Sequence, residues 1–129
     1  MKTLKSLSSK RILIEGTVNG KKAIFLIDTG ATVSLIDKNK TKTFGLVRGN
    51  RYNGKLIGAG GDIETTYVCN TFVDIHGKTI AQFLLSDISN IVDSIRRETG
   101  YEILGIIGLP QLSFAGIQLD INDMLITIE

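Results

Sequence analysis

An all-β domain is what this sequence predicts, and three observations carry that expectation. Apolar residues come in short runs bounded by turn residues, as in Arg11 to Val18 and Ile103 to Ile107. Glycine is abundant, with 14 copies, whereas proline occurs once. Asn19-Gly20 separates two strand-like runs by the pair of residues that a two-residue hairpin prefers. At 129 residues, 43% hydrophobic and 22% charged, the chain has the material for one core.

The elements follow in order. Residues 1–10 read as a polar N-terminal extension, and residues 11–129 as the domain. Arg11 to Val18 (RILIEGTV) is a strand, and Lys22 to Ile27 returns as its hairpin partner. Val33 to Ile36 is a second apolar run. Asp37 then caps a short helix through Lys38 to Phe44, closed by Gly45. Tyr52 to Val68 holds LIGAGGDIETTYV, two strand-like flanks around a glycine-rich tip. Thr71 to Ile75 and Thr79 to Leu85 form a hairpin around His76-Gly77-Lys78. Ser89 to Glu98 has Ile91, Val92 and Ile95 at the spacing of an amphipathic helix, which Gly100 ends. Ile103 to Ile107 is a buried strand, and Leu109 to Phe114 a short helix with Pro110 in its first turn. Ile117 to Ile128 is a final hairpin through Asn122-Asp123.

Charge and cysteine usage exclude several functions. Fifteen basic and thirteen acidic residues are spread along the chain for a net charge of +2, without the basic stripe of a nucleic-acid binder. The first ten residues are basic and Ser-rich with no long apolar run behind them, so neither a secretory segment nor a membrane span is expected, and the setting is read as cytoplasmic. Cys69 is alone, which rules out an internal disulfide and a cysteine-built metal cage. No metal or cofactor is expected. Asp120, Asn122 and Asp123 lack the glycine and distal glutamate of a calcium loop, and turn chemistry explains them. His76 beside Gly77 reads as a solvated turn residue, and Arg96-Arg97-Glu98 as a solvated helix face or a contact with a partner subunit.

One stretch asks for chemistry. AIFLIDTGATVSLID, residues 23 to 37, runs five apolar residues into Asp28 and then turns through Thr29 and Gly30. A carboxylate carried toward the interior loses water, which is costly unless hydrogen bonds or chemistry compensate. Asp28 is therefore either a capped turn acid or an active-site acid.

FLIDTGA at residues 25 to 31, the glycine-rich LIGAGGDI, and LGIIGLPQL at residues 104 to 112 occur in an order that resembles the retropepsins, the single-domain aspartic proteases of retroviral type. The resemblance spans roughly residues 11 to 128. It departs at Leu109, Pro110 and Gln111, where retroviral enzymes carry a polar residue after the glycine. It implies a closed β-barrel-type domain with a glycine-rich flap hairpin and one or two short helices, working as a homodimer. Asp28, Thr29 and Gly30 are the catalytic residues it implies. Only one Asp-Thr-Gly triplet is present, so a working site takes two copies of Asp28 across a two-fold axis. The two carboxylates share a proton, one activating water and the other polarising a peptide carbonyl. Thr29 reaches across to the partner loop, and Gly30 brings its amide to the carboxylate.

Ala31 and the flap residues Ile57, Gly58, Ala59, Gly60 and Gly61 would bind an extended peptide by strand addition, with Ile57 and Ile63 lining apolar pockets. Because Ala31 brings no hydroxyl to the acid, the expected working range is nearer neutral than that of secreted acid proteases. Met124 to Ile128 is a candidate interface strand. A second function of another class is a retropepsin-fold module that dimerises and binds peptides without cutting them; Gly108 packs the helix behind the acid loop in either case.

Overall fold

The computed structural model describes residues 1–52 and 66–129. Its first strand lies where the sequence reads only a polar extension. β1 (Lys2–Lys5) has a single half-buried residue, Leu4, and forms because the last strand of the chain offers it an edge to pair with. Ser6 then turns the chain inward: its buried hydroxyl donates to the Arg11 carbonyl at 2.8 Å and accepts from the Leu13 amide at 2.9 Å.

β2 (Leu13–Val18) and β3 (Lys21–Asp28) are the expected hairpin. Asn19 and Gly20 take φ values of 50° and 80°, the left-handed pair that matches the twist of the flanking strands. β4 (Ser34–Asp37) ends on a buried acid whose side chain accepts from the Asn39 amide and caps a 3₁₀ turn over Lys38–Lys40. The turn runs into α1 (Thr41–Phe44), closed by Gly45 at φ 63°. β5 (Arg48–Arg51) and β6 (Tyr67–Cys69) pair antiparallel, with the Arg48 guanidinium 4.5 Å above the Tyr67 ring.

The next hairpin is shorter than expected. β7 (Val73–Ile75) and β8 (Lys78–Ile80) turn through His76-Gly77, but the strand from Thr79 to Leu85 is broken at Gln82, which sits at φ 67°. β9 (Phe83–Ser86) departs from the hairpin to run parallel beside β4, a place where all four of its residues are buried. α2 (Ser89–Thr99) follows, then β10 (Gly105–Gly108), α3 (Leu109–Ala115), β11 (Ile117–Asp120) and β12 (Leu125–Ile128).

Nine strands form one sheet in the order β5-β6-β9-β4-β10-β3-β2-β7-β8, which curls as a half-barrel. Its core includes Phe25, Phe83, Ile36, Ile75 and Ile107. A second cluster lies under α2, where Ile88, Val92 and Ile95 cover Leu13, Leu26, Ile103 and Ile106. Each such side chain contributes about 2 kcal/mol by leaving water, which holds α2 to the sheet.

The remaining strands make a separate sheet, β1-β12-β11. The sequence offers Met124 to Ile128 as a candidate interface strand; within the single chain Leu125–Ile128 is the middle strand of this sheet, paired with β1 on one side and β11 on the other.

Candidate active site

β3 delivers Asp28 to the end of a buried strand: Phe25, Leu26 and Ile27 are enclosed, and exposure begins at the acid itself. The interior placement that the greasy run suggests therefore holds for the strand and not for the carboxylate, which faces solvent on the single chain. The turn after it is held by its own backbone. The Ala31 amide donates to the Asp28 carbonyl at 3.1 Å, and the Gly30 amide donates to Asp28 Oδ1 at 2.9 Å. Gly30 does not adopt a positive φ. Its value is space, since a Cβ there would stand 3.3 Å from Asp28 Oδ1.

β10 fixes the loop from the other side. It lies between β3 and β4, parallel to the first, with Gly108 in register with Asp28. A Cβ on Gly108 would come within 2.6 Å of the Val33 carbonyl and 2.8 Å of the Ala31 carbonyl, both backbone atoms with little room to shift. The glycine thus lets β10 press against the acid loop, and the Leu109 amide closes the contact on the Ala31 carbonyl at 2.9 Å. The packing role expected of Gly108 is present, directed at the acid loop itself.

Two residues that the sequence did not single out join the site. Ser34 is fully buried; its hydroxyl accepts from the Gly108 amide at 2.8 Å and donates to Gln111 Oε1 at 2.6 Å, tying β4, β10 and α3 together. Gln111 is thus the polar partner of a segment that otherwise departs from the retroviral pattern. A serine alone between Val33 and Leu35 in an apolar strand was the available signal. Arg11 is the second. The pairing of Leu13 with Leu26, continued by the Ile27 amide on the Ile12 carbonyl, places Arg11 across from Asp28. Its guanidinium grips Glu98 at 2.9 and 3.2 Å. That hydrogen bond and charge, with a smaller contribution from Asp28, hold it protonated above its ordinary range. Glu98 therefore serves as more than a solvated helix face, while Arg96 pairs with Asp93 and Glu102.

Thr29 is exposed beside the acid and opens onto a groove of about 590 Å³ that runs along β11. Ala31 is half-buried against the α2 cluster, on the wall next to Asp28. The flap residues Ile57, Gly58, Ala59, Gly60 and Gly61, and Ile63 with them, lie outside the described residues. Among the described residues, no three His, Cys, Asp or Glu side chains gather as a metal site. Asp120 Oδ1 accepts from the Asp123 amide at 3.2 Å, which is turn chemistry. No described helix is long and apolar enough to cross a membrane.

Residues 14–110 match a family described as aspartyl protease. No curated relative matches the chain. Among solved structures, the EIAV protease in complex with the inhibitor HBY-793 is similar at TM-score 0.63 and 23% identity, covering 91% of this chain and 99% of that one. The retroviral protease-like domain of Ddi1 from Leishmania major aligns at TM-score 0.59 and 19% identity, over 92% and 88% of the two chains. A retropepsin-like aspartic protease from Rickettsia conorii aligns at 0.59 and 21%, over 97% and 87%. At these identities the likeness shows a shared fold, with its sheet and its few short helices.

Proposed function

The chain belongs to the aspartyl protease family, and from that premise we propose that it is a homodimeric endopeptidase that cuts peptide bonds in extended protein segments, each subunit supplying one Asp28. The observation that carries this is the acid loop itself. Asp28 stands at the exposed end of a buried strand, its Oδ1 held by the Gly30 amide and its loop braced by Gly108; its Oδ2 has no hydrogen-bond partner among the described residues.

The chemistry follows from bringing two such carboxylates together. Both cannot ionise comfortably at close range, so the pair holds one proton between them. The ionised member removes a proton from a water, whose oxygen bonds to the peptide carbonyl carbon. The protonated member polarises the carbonyl oxygen and then transfers its proton to the departing nitrogen as the C–N bond breaks. The Thr29 hydroxyl fixes the two loops across the axis. Ala31 and the glycine-rich segment from Ile57 to Gly61 hold the peptide backbone by strand addition, and closure over it excludes water. The reading includes a cytoplasmic setting, which the lone, buried Cys69 suits.

Digestion of a peptide library by the purified chain tests this. The wild type is expected to cut with a pH–rate profile centred nearer neutral than pH 4, and Asp28→Asn to lose cleavage by at least about a hundredfold while sedimenting as the same dimer. Cleavage unchanged in Asp28→Asn would remove Asp28 from the chemistry. A dimer that binds peptides and cuts none would make the chain a binding module.

A further inference from the structure

The nine-strand sheet ends at β8, whose outer edge is unpaired among the described residues. The hairpin turn decides which of its backbone groups face outward. Ile75 and Lys78 flank the two-residue His76-Gly77 turn, and residues flanking such a turn exchange both main-chain hydrogen bonds. Pairs alternate along an antiparallel ladder, so Asp74 and Thr79 exchange none, and the Thr79 N–H and C=O point away from β7. They open onto a groove of about 490 Å³ between β8 and α3, lined by Thr79, Ile80, Ala81, Pro110, Phe114 and Ala115. Phe114 is 94% exposed, an aromatic ring that the single chain leaves in water. The groove at Thr29 takes Leu109, Leu112, Ser113 and Gly116 instead. At about 100° of helix per residue, these lie on the opposite side of α3 from Pro110 and Phe114, so the helix separates the two grooves.

The turn end of the β8 edge carries charge of one sign. Lys78 opens the strand, and Lys2 reaches the same turn, its Nζ donating to His76 Nδ1 at 2.9 Å. Neither lysine forms an ion pair with a carboxylate among the described residues. We propose that this groove docks an extended segment of a protein substrate that carries an apolar side chain and, toward the turn, an acid. The segment adds to β8 through the Thr79 main chain, its apolar side chain packs on Phe114 and Pro110, and its carboxylate meets Lys78 and Lys2. A lysine on an edge disfavours a strand of like charge, so the same residue selects against basic segments. The inference rests on the reading of the chain as an endopeptidase of proteins, and it assigns those proteins a second recognition element outside the bond that is cut. A segment held on the far side of α3 from Thr29 raises the local concentration of that bond at the acid loop.

Binding and cleavage read this separately. Dye-labelled peptides of sequence Glu-Glu-Thr-Val-Phe-Val-Thr, and the same with Lys-Lys at the start, are titrated by fluorescence anisotropy against the Asp28→Asn chain, so that cleavage does not interfere. The acidic peptide is expected to bind at least about tenfold more tightly than the basic one, Phe114→Ser to weaken it at least about fivefold, and Lys78→Glu to reverse the order of the two. Each variant is expected to keep an unchanged circular dichroism spectrum. A cleavable peptide from the library is then compared with and without the acidic segment attached through a flexible linker. The segment is expected to lower KM at least about fivefold in the wild type at unchanged kcat, and to do nothing in Phe114→Ser, which cuts the short peptide as the wild type does. Equal binding of the two peptides, no binding of either, or binding indifferent to Phe114→Ser overturns the proposal. Phe114-dependent binding by a chain that cuts nothing leaves the docking groove standing and retires the protease reading; cleavage without Phe114-dependent binding does the reverse.

Discussion

At Ser34 one buried hydroxyl satisfies two elements, accepting from the Gly108 amide and donating to Gln111. Removing it strands a buried N–H beside the acid loop, and an unsatisfied buried donor costs about 1–3 kcal/mol. Ser34→Ala is therefore expected to lower stability by that amount in urea denaturation; a change below about 0.5 kcal/mol would show that the Gly108 amide finds another partner. At this scale the acid loop was legible in Asp28-Thr29-Gly30, because a triplet contiguous in sequence carries its own hydrogen bond. Ser34 and Arg11 were not. Ser34 lies 74 residues from Gly108 and Arg11 lies 87 residues from Glu98, and nothing local to either residue names such a partner.

Among the elements, the hairpins announced themselves where turn chemistry is local. Gly20 at φ 80° has open space where a Cβ would stand, so its constraint is backbone conformation alone. Gly20→Ala is expected to cost about 1–2 kcal/mol, read as a shift of the urea midpoint with unchanged slope. An unshifted midpoint would mean that the turn accommodates the side chain by changing type. Gln82 shows the opposite case. A run from Thr79 to Leu85 looks like one strand, yet the chain breaks it at a non-glycine left-handed residue so that Phe83 and Leu85 can be buried beside β4. Tertiary burial outweighs the local preference, and no turn residue marks the break. β1 is similar: a polar segment becomes a strand because β12 lends it hydrogen bonds.

For the whole molecule, Glu98 and Asp87 are two carboxylates whose hydrogen bonds contribute to the response to acid. Glu98 is held below its ordinary value chiefly by the hydrogen bond from Arg11, and Asp87 by hydrogen bonds from Ser89 at the start of α2, with Asn39 adding to it. Both bind protons less readily folded than unfolded, so the stability they contribute is present above about pH 5 and is lost as pH falls through the carboxylate range. Urea midpoints measured from pH 7 to pH 3 are expected to fall toward acid, and Glu98→Gln to flatten part of that slope. An identical slope in the variant would remove the Arg11–Glu98 pair from the account.

What the sequence by itself determined was the local grammar: short strands, the Asn19-Gly20 turn, capped helix ends, and an acid followed by a glycine at the end of an apolar run. Each of these is settled by residues within a few positions of one another. Only the tertiary structure decided that Asp28 reaches solvent, that Gly108 and Ser34 brace it, and that β12 pairs with β1 and β11 of its own chain. Those outcomes depend on which distant strands share an edge, and strand pairing is chosen by the burial of the whole core rather than by any one segment's pattern.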